Sequence, residues 1–149
     1  MHSKIAICTL LLFLAGRPAL PQQNDDAAGF PSAVGSIRSI NTAEKFYSQH
    51  YSDRGYACDL ATLGVPPAGE KESPDHAGLL APALTNGSKL GYKFTVQCGS
   101  PATPQRSYSV YATPVTGHGK AVCSDEGGAL KFSDDGSAET CRTSGKVLQ

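Results

Sequence analysis

The chain has 149 residues, with 13 Lys and Arg against 13 Asp and Glu, so its formal net charge is zero. That length fits one domain and leaves no room for two. The charges form no basic stripe for nucleic acid and no polybasic patch for a membrane surface.

At the N-terminus, Lys4 precedes the apolar run Ile5–Ala15. Such a run falls within the roughly 7–15 residues of a signal-peptide core and short of the ~20 that span a bilayer. Residues 1–20 therefore read as an export signal. Small residues at Ala15, Gly16 and Ala19 are interrupted by Arg17 and Pro18, which spreads the expected cleavage over residues 15–23. No later segment is apolar enough to span, so no stable membrane span is expected after cleavage. Cleavage removes Lys4, Arg17 and Cys8, leaving eleven basic and thirteen acidic residues. Residues 21–31, polar, small and bounded by Pro21 and Pro31, read as a flexible linker, and residues 32–149 as the globular domain.

Ser32 is the expected N-cap of a helix over Ala33–Ser52, with Gly55 as its stop. At 100° per residue, Ala33, Ile37, Ile40, Glu44, Tyr47 and Tyr51 share one face, while Arg38, Thr42, Lys45 and Gln49 share the other. Asp59 then caps a turn over Leu60–Leu63, broken by Gly64–Gly69, and a second short helical piece covers Ala77–Leu84 up to Asn86-Gly87. From there the pattern turns to strands: Tyr92–Val96, Tyr108–Ala112, Lys120–Ser124 and Ala129–Phe132, separated by Gly-, Pro- and Asp-rich turns. The expected fold class is α+β, one long N-terminal amphipathic helix packed on a 3–4-stranded antiparallel sheet.

Without Cys8 the cysteines are Cys58, Cys98, Cys123 and Cys141, an even set that implies two disulfides with three connectivities open. The pairs Cys58–Cys98 and Cys123–Cys141 each close a moderate loop and are favoured on that ground. No pair is spaced C-x-x-C, so neither a zinc knuckle nor a redox dithiol is expected.

Chemistry-bearing residues are few. Glu44 falls in the middle of the helix's apolar face, where a carboxylate needs loop N–H groups or a Tyr hydroxyl, or else a proton; its expected role is structural. Asp125, Glu126, Asp134 and Asp135 could supply oxygen ligands to Ca²⁺, but they lack the spacing of a calcium loop and sit where hairpin turns favour Asp anyway. His50, His76 and His118 have polar or turn neighbours and are expected in solvent. No Ser lies in G-x-S-x-G, Thr116–Lys120 fails as a phosphate loop because Pro114 stands where Gly is needed, and the sequon Asn86-Gly87-Ser88 reads as a tight turn. Tyr92, Tyr108 and Tyr111 are expected in packing, with Tyr108 and Tyr111 on opposite faces of their strand. No catalytic residue, metal or cofactor is assigned.

The stretch Ala33-Val34-Gly35-Ser36-Ile37-Arg38-Ser39-Ile40-Asn41-Thr42-Ala43-Glu44, followed by Tyr56-Ala57-Cys58-Asp59-Leu60-Ala61-Thr62-Leu63-Gly64, Gly91–Phe94 and Cys123–Leu130, resembles the globular part of type IV pilins and type II secretion pseudopilins over about residues 33–141. The resemblance implies a pilin-like domain whose partners are other proteins of a pilus or secretion apparatus. Pilins join the globular helix to a long apolar stalk with a Glu near its start; here Pro31-Ser32-Ala33-Val34 follows Gly29-Phe30 instead. The expectation is a secreted or periplasmic, non-enzymatic structural or interaction protein that does not form filaments on its own. The alternatives are a small secreted binding module for a ligand or glycan, and a small secreted hydrolase.

Overall fold

The computed structural model describes residues 26–149, with side chains from residue 29 onward. The signal segment, its cleavage window and residues 21–25 lie outside the described residues. Helix α1 covers Asp26–His50. Its buried side chains, among those described, are Ala33, Ser36, Ile37, Ile40, Ala43, Glu44 and Tyr47, the face that the 100° spacing marks out.

Both ends of α1 differ from expectation. The helix starts upstream of Ser32 and carries Pro31 inside it, so residues 26–31 are helical and not linker, and Ser32 is not the cap. An interior proline costs a helix about 3 kcal/mol, and tertiary packing offsets that cost. Phe30 meets Phe132 edge-on at 6.1 Å, and buried Gly29 lies so close to the segment at Tyr92 that a Cβ there would come within 3.1 Å of the Tyr92 ring. At the other end the helix stops at His50, and the Tyr51 carbonyl accepts from the Arg54 and Gly55 N–H groups at 2.9 and 3.0 Å. Gly55, at φ +79°, turns the chain away.

The polypeptide then crosses beside α1 twice without long elements. The Asp59 carboxylate caps the turn at the Thr62 N–H, 2.8 Å away. Backbone bonds from Leu79 and Leu80 to the Leu63 carbonyl, both 2.8 Å, tie the two passes together. Leu60, Leu63, Leu80 and Leu84 face the core. Helix α2 is the single turn Pro82–Thr85, shorter than the expected Ala77–Leu84.

Six antiparallel strands follow as a meander in chain order: β1 (Ser88–Lys89), β2 (Tyr92–Cys98), β3 (Tyr108–Pro114), β4 (Ala121–Asp125), β5 (Lys131–Ser133) and β6 (Lys146–Val147). The expected 3–4 strands correspond to β2–β5; the correction is the pair of two-residue edge strands, too short to carry a period-2 pattern. The register runs from Tyr92 opposite Pro114 to Cys98 opposite Tyr108, then Ala112 opposite Val122 and Val122 opposite Phe132. α1 lies over the face carrying Phe94, Val96, Tyr108, Val110, Ala112 and Val122. A further helix, α3 (Ala138–Ser144), covers the opposite face, where Cys141 packs with Ala121, Cys123 and Tyr111. Tyr108 and Tyr111 thus do point to opposite faces, and β4 is buried from both sides.

Both disulfides form, Cys58–Cys98 and Cys123–Cys141, with Cα separations of 5.0 and 6.0 Å. The first joins the segment after α1 to the end of β2, and the second joins β4 to α3. Among the described residues no helix is long and apolar enough to cross a membrane.

The β1–β2 hairpin turns on Leu90-Gly91, with φ +46° and +78°. Positive φ at both turn positions is the geometry that Asn-Gly adopts readily, and a bulky L-residue there costs about 1–2 kcal/mol. Leu90 is 62% exposed and contributes little packing in return. Leu90→Asn is expected to raise stability by about 1 kcal/mol, measured as a higher urea midpoint; an unchanged or lower midpoint would show that Leu90 packs favourably enough to offset its backbone.

Candidate functional site

The polar groups that the fold brings together lie along one side of α1. Glu44 is fully buried at 0% exposure. Its Oε2 accepts a hydrogen bond from the Ala57 N–H at 2.9 Å, while Oε1 has no partner. Burial pushes its pKa up to about 8, the Ala57 N–H opposes that rise, and the nearby Asp59 carboxylate adds to it. At neutral pH the side chain is a carboxylic acid that clamps α1 to the segment bearing Cys58. Its hydrogen-bond partner is a loop N–H.

One turn earlier on the helix, Asn41 anchors a relay whose members lie 67 and 83 residues apart in the chain and carry no local signal. The Tyr108 hydroxyl donates to Asn41 Oδ1 at 2.9 Å, Asn41 Nδ2 donates to Ser124 Oγ at 2.8 Å, and the Ser124 hydroxyl donates to the Ala129 carbonyl at 3.0 Å. Burial pushes the Tyr108 phenol well above its ordinary range, helped by the neighbouring Glu44 carboxyl. The relay fixes α1 to β3, β4 and the turn after β4. Removing its first donor leaves Asn41 Oδ1 without a partner, so Tyr108→Phe is expected to lose about 1–2 kcal/mol in chemical denaturation. A loss below the error of the measurement would mean that water replaces the hydroxyl without cost.

Two open grooves flank the exposed side of α1, and Phe46, 57% exposed, forms the ridge between them. The first, of about 750 Å³, is floored by Asn41, Tyr56 and Tyr108 and, among the described residues, carries Lys45 and Glu126 as its charged side chains. The second, of about 560 Å³, runs between Ser39, Thr42 and Ala43 of α1 and the segment Gly78–Ala81, and has no charged lining among the described residues. The chemistry of these surfaces is that of contact: an exposed ring, an apolar trough, one ammonium and one carboxylate.

The remaining sequence candidates are dispersed. Asp125 and Glu126 lie at one end of β4, whereas Asp134 follows Ser133, which pairs with Ala121 at the other; four residues of strand set them about 13 Å apart. Each carboxylate has local work. Asp125 accepts from the Gly127 N–H at 2.9 Å, Glu126 from the Tyr108 N–H at 3.3 Å and Asp135 from the Ser137 N–H at 3.0 Å. Asp134 takes Lys146 at 2.6 Å and Lys120 at 3.7 Å. Among the described residues no group of three or more His, Cys, Asp or Glu is placed to hold a metal ion. His50 and His118 are exposed and His76 is half-buried, with His50 resting edge-on against Tyr51. No family model, no curated protein and no solved structure matches this chain.

Proposed function

We propose that this chain is a pilin-like structural or interaction domain, exported and non-enzymatic, that works by protein contacts within a pilus or secretion apparatus. One observation carries this reading: a single long helix leads into the domain and lies across an antiparallel meander, in the element order that the Ala33–Glu44 and Tyr56–Gly64 wording implies. The clamp from Glu44 to the Ala57 N–H joins those two stretches and gives a physical reason for both to be present. Two disulfides, together with the lack of a membrane-crossing helix among the described residues, are compatible with an extracytoplasmic location.

Fold resemblance alone does not license function, so the test has to read partners. Crosslinking of the chain in its own cells, followed by mass spectrometry, is expected to recover pilus or secretion components, and N-terminal sequencing of the recovered chain is expected to begin within residues 15–23. Binding on a glycan array with no protein crosslinks would overturn the reading in favour of a glycan-binding module.

A further inference from the structure

The two disulfides differ in how solvent reaches them. Cys123 and Cys141 are 4% and 0% exposed, packed with Ala121 and Tyr111 between the sheet and α3. Cys58 is exposed and Cys98 half-buried, and the residue after each, Asp59 and Gly99, is exposed as well. A thiolate therefore reaches the Cys58–Cys98 bridge without prior unfolding, and access is one of the conditions that set the rate of exchange. Contacts independent of the bridge hold the same segment. The Ala57 N–H donates to Glu44 at 2.9 Å, the Tyr56 N–H to the Gln105 carbonyl at 3.0 Å, and the Gln105 N–H to the Arg54 carbonyl at 2.7 Å. The Cys98 sulfur lies 3.7 Å from the Ala57 carbonyl, so a thiol formed there has an acceptor at hand.

We propose that Cys58–Cys98 is a thiol–disulfide exchange site, opened by a dithiol while the rest of the fold persists, and that Cys123–Cys141 is a permanent staple. One thiolate of the dithiol attacks the Cys58 sulfur and bonds to it. The bond to Cys98 breaks, and its electron pair leaves on Cys98 Sγ, which takes a proton from water. The second thiolate of the dithiol then attacks its own first sulfur in the mixed disulfide, and Cys58 leaves and is protonated in turn. Two electrons and two protons pass to the bridge, and the dithiol departs as a disulfide. Opening removes the covalent tie between residues 54–58 and the end of β2, leaving the hydrogen bonds to hold them. Tyr56, within that segment, packs on Tyr108 with ring centroids 4.9 Å apart and floors the larger groove beside α1. The redox state of the bridge thus sets how firmly the floor of that groove is held. This device needs only a reducing dithiol and does not depend on the pilin-like reading.

The test is graded dithiothreitol on the full chain as isolated, without denaturant, followed by alkylation and peptide mapping. A dithiol with no other charge is used because the exposed Asp59 carboxylate beside Cys58 repels more anionic thiols. Cys58 and Cys98 are expected to be labelled at least about tenfold faster than Cys123 and Cys141. In guanidinium chloride strong enough to unfold the chain, the two pairs should be labelled at similar rates. Hydrogen exchange of the selectively reduced protein should show lost protection at Tyr56, Ala57 and Gln105, with β3 and β4 unchanged. Return to an oxidising buffer should restore both the bridge and the protection. Equal labelling of the two pairs in the native protein overturns the proposal. So does loss of protection across β3 and β4 once the first bridge opens, because the fold then does not persist. An opened bridge that leaves residues 54–58 as protected as before, or that does not re-form, overturns it too.

Discussion

Folded stability is expected to fall as pH rises from about 4.5 to about 8, with Glu44 as the cause. The carboxyl has an ordinary value of 4.5 in the open chain and about 8 in the folded one. Between those values the native state holds one proton more than the unfolded state, so stability declines with rising pH, at most about 1.4 kcal/mol per pH unit. The stabilisation is complete below pH 4.5 and gone above pH 8, a difference of roughly 5 kcal/mol at most. Against a net stability of about 5–15 kcal/mol for a domain of this kind, that is a large enough fraction to be read as a shift in the urea midpoint. Glu44→Gln retains an acceptor for the Ala57 N–H and cannot ionise, so its stability should be flat over the same range. Glu44→Ala strands that N–H and leaves a cavity, and is expected to lose about 2–4 kcal/mol at pH 5. Urea denaturation at pH 5 and pH 8.5 distinguishes these outcomes. Parallel pH profiles for the wild type and Glu44→Gln would show that the carboxyl finds an unseen partner, and an unchanged melt for Glu44→Ala would remove its structural role.

Loss of the Cys58–Cys98 bridge should be nearly as severe. The bridge closes a loop of 40 residues, against 18 for Cys123–Cys141. Restriction of the unfolded chain then contributes about 4 and about 3 kcal/mol respectively. The longer bridge holds the same segment that Glu44 clamps, since Ala57 sits between the hydrogen bond and Cys58. Replacing both Cys58 and Cys98 by Ala is thus expected to lower stability by about 4 kcal/mol and to interact with Glu44→Gln non-additively. The readout is a double-mutant cycle in urea. Strict additivity would mean that bridge and clamp hold the segment independently.

The parts of this fold that were legible in the sequence are those where one face is buried over several residues. The apolar stripe of α1 and the alternation in β2–β5 both follow from that condition. Glu44 was legible for the same reason, as a carboxylate on an apolar stripe. Helix α3 was not, because it buries only Cys141 and shows no stripe; its one local signal is Ser137, whose hydroxyl caps the Thr140 N–H at 3.2 Å. The true start of α1 was hidden because Gly29 and Phe30 are held by Tyr92 and Phe132, contacts that span more than sixty residues. The trough beside Phe46 is invisible in the same way, since one wall is α1 and the other is Gly78–Ala81.

The two outer strands, finally, restrict how this molecule joins anything else. Ser88–Lys89 and Lys146–Val147 offer only two residues each to an incoming strand, and each carries a lysine. Lys146 is held across the rim by Asp134, and Lys89 reaches back to Ser36 of α1. Rims this short and charged give a foreign strand too few free backbone groups to add on, and so cannot template cross-β growth. Seeded fibril growth on these two edges should therefore fail while the native fold persists, even in concentrated solution, and among the described residues ordered association is left to helical surfaces and loops.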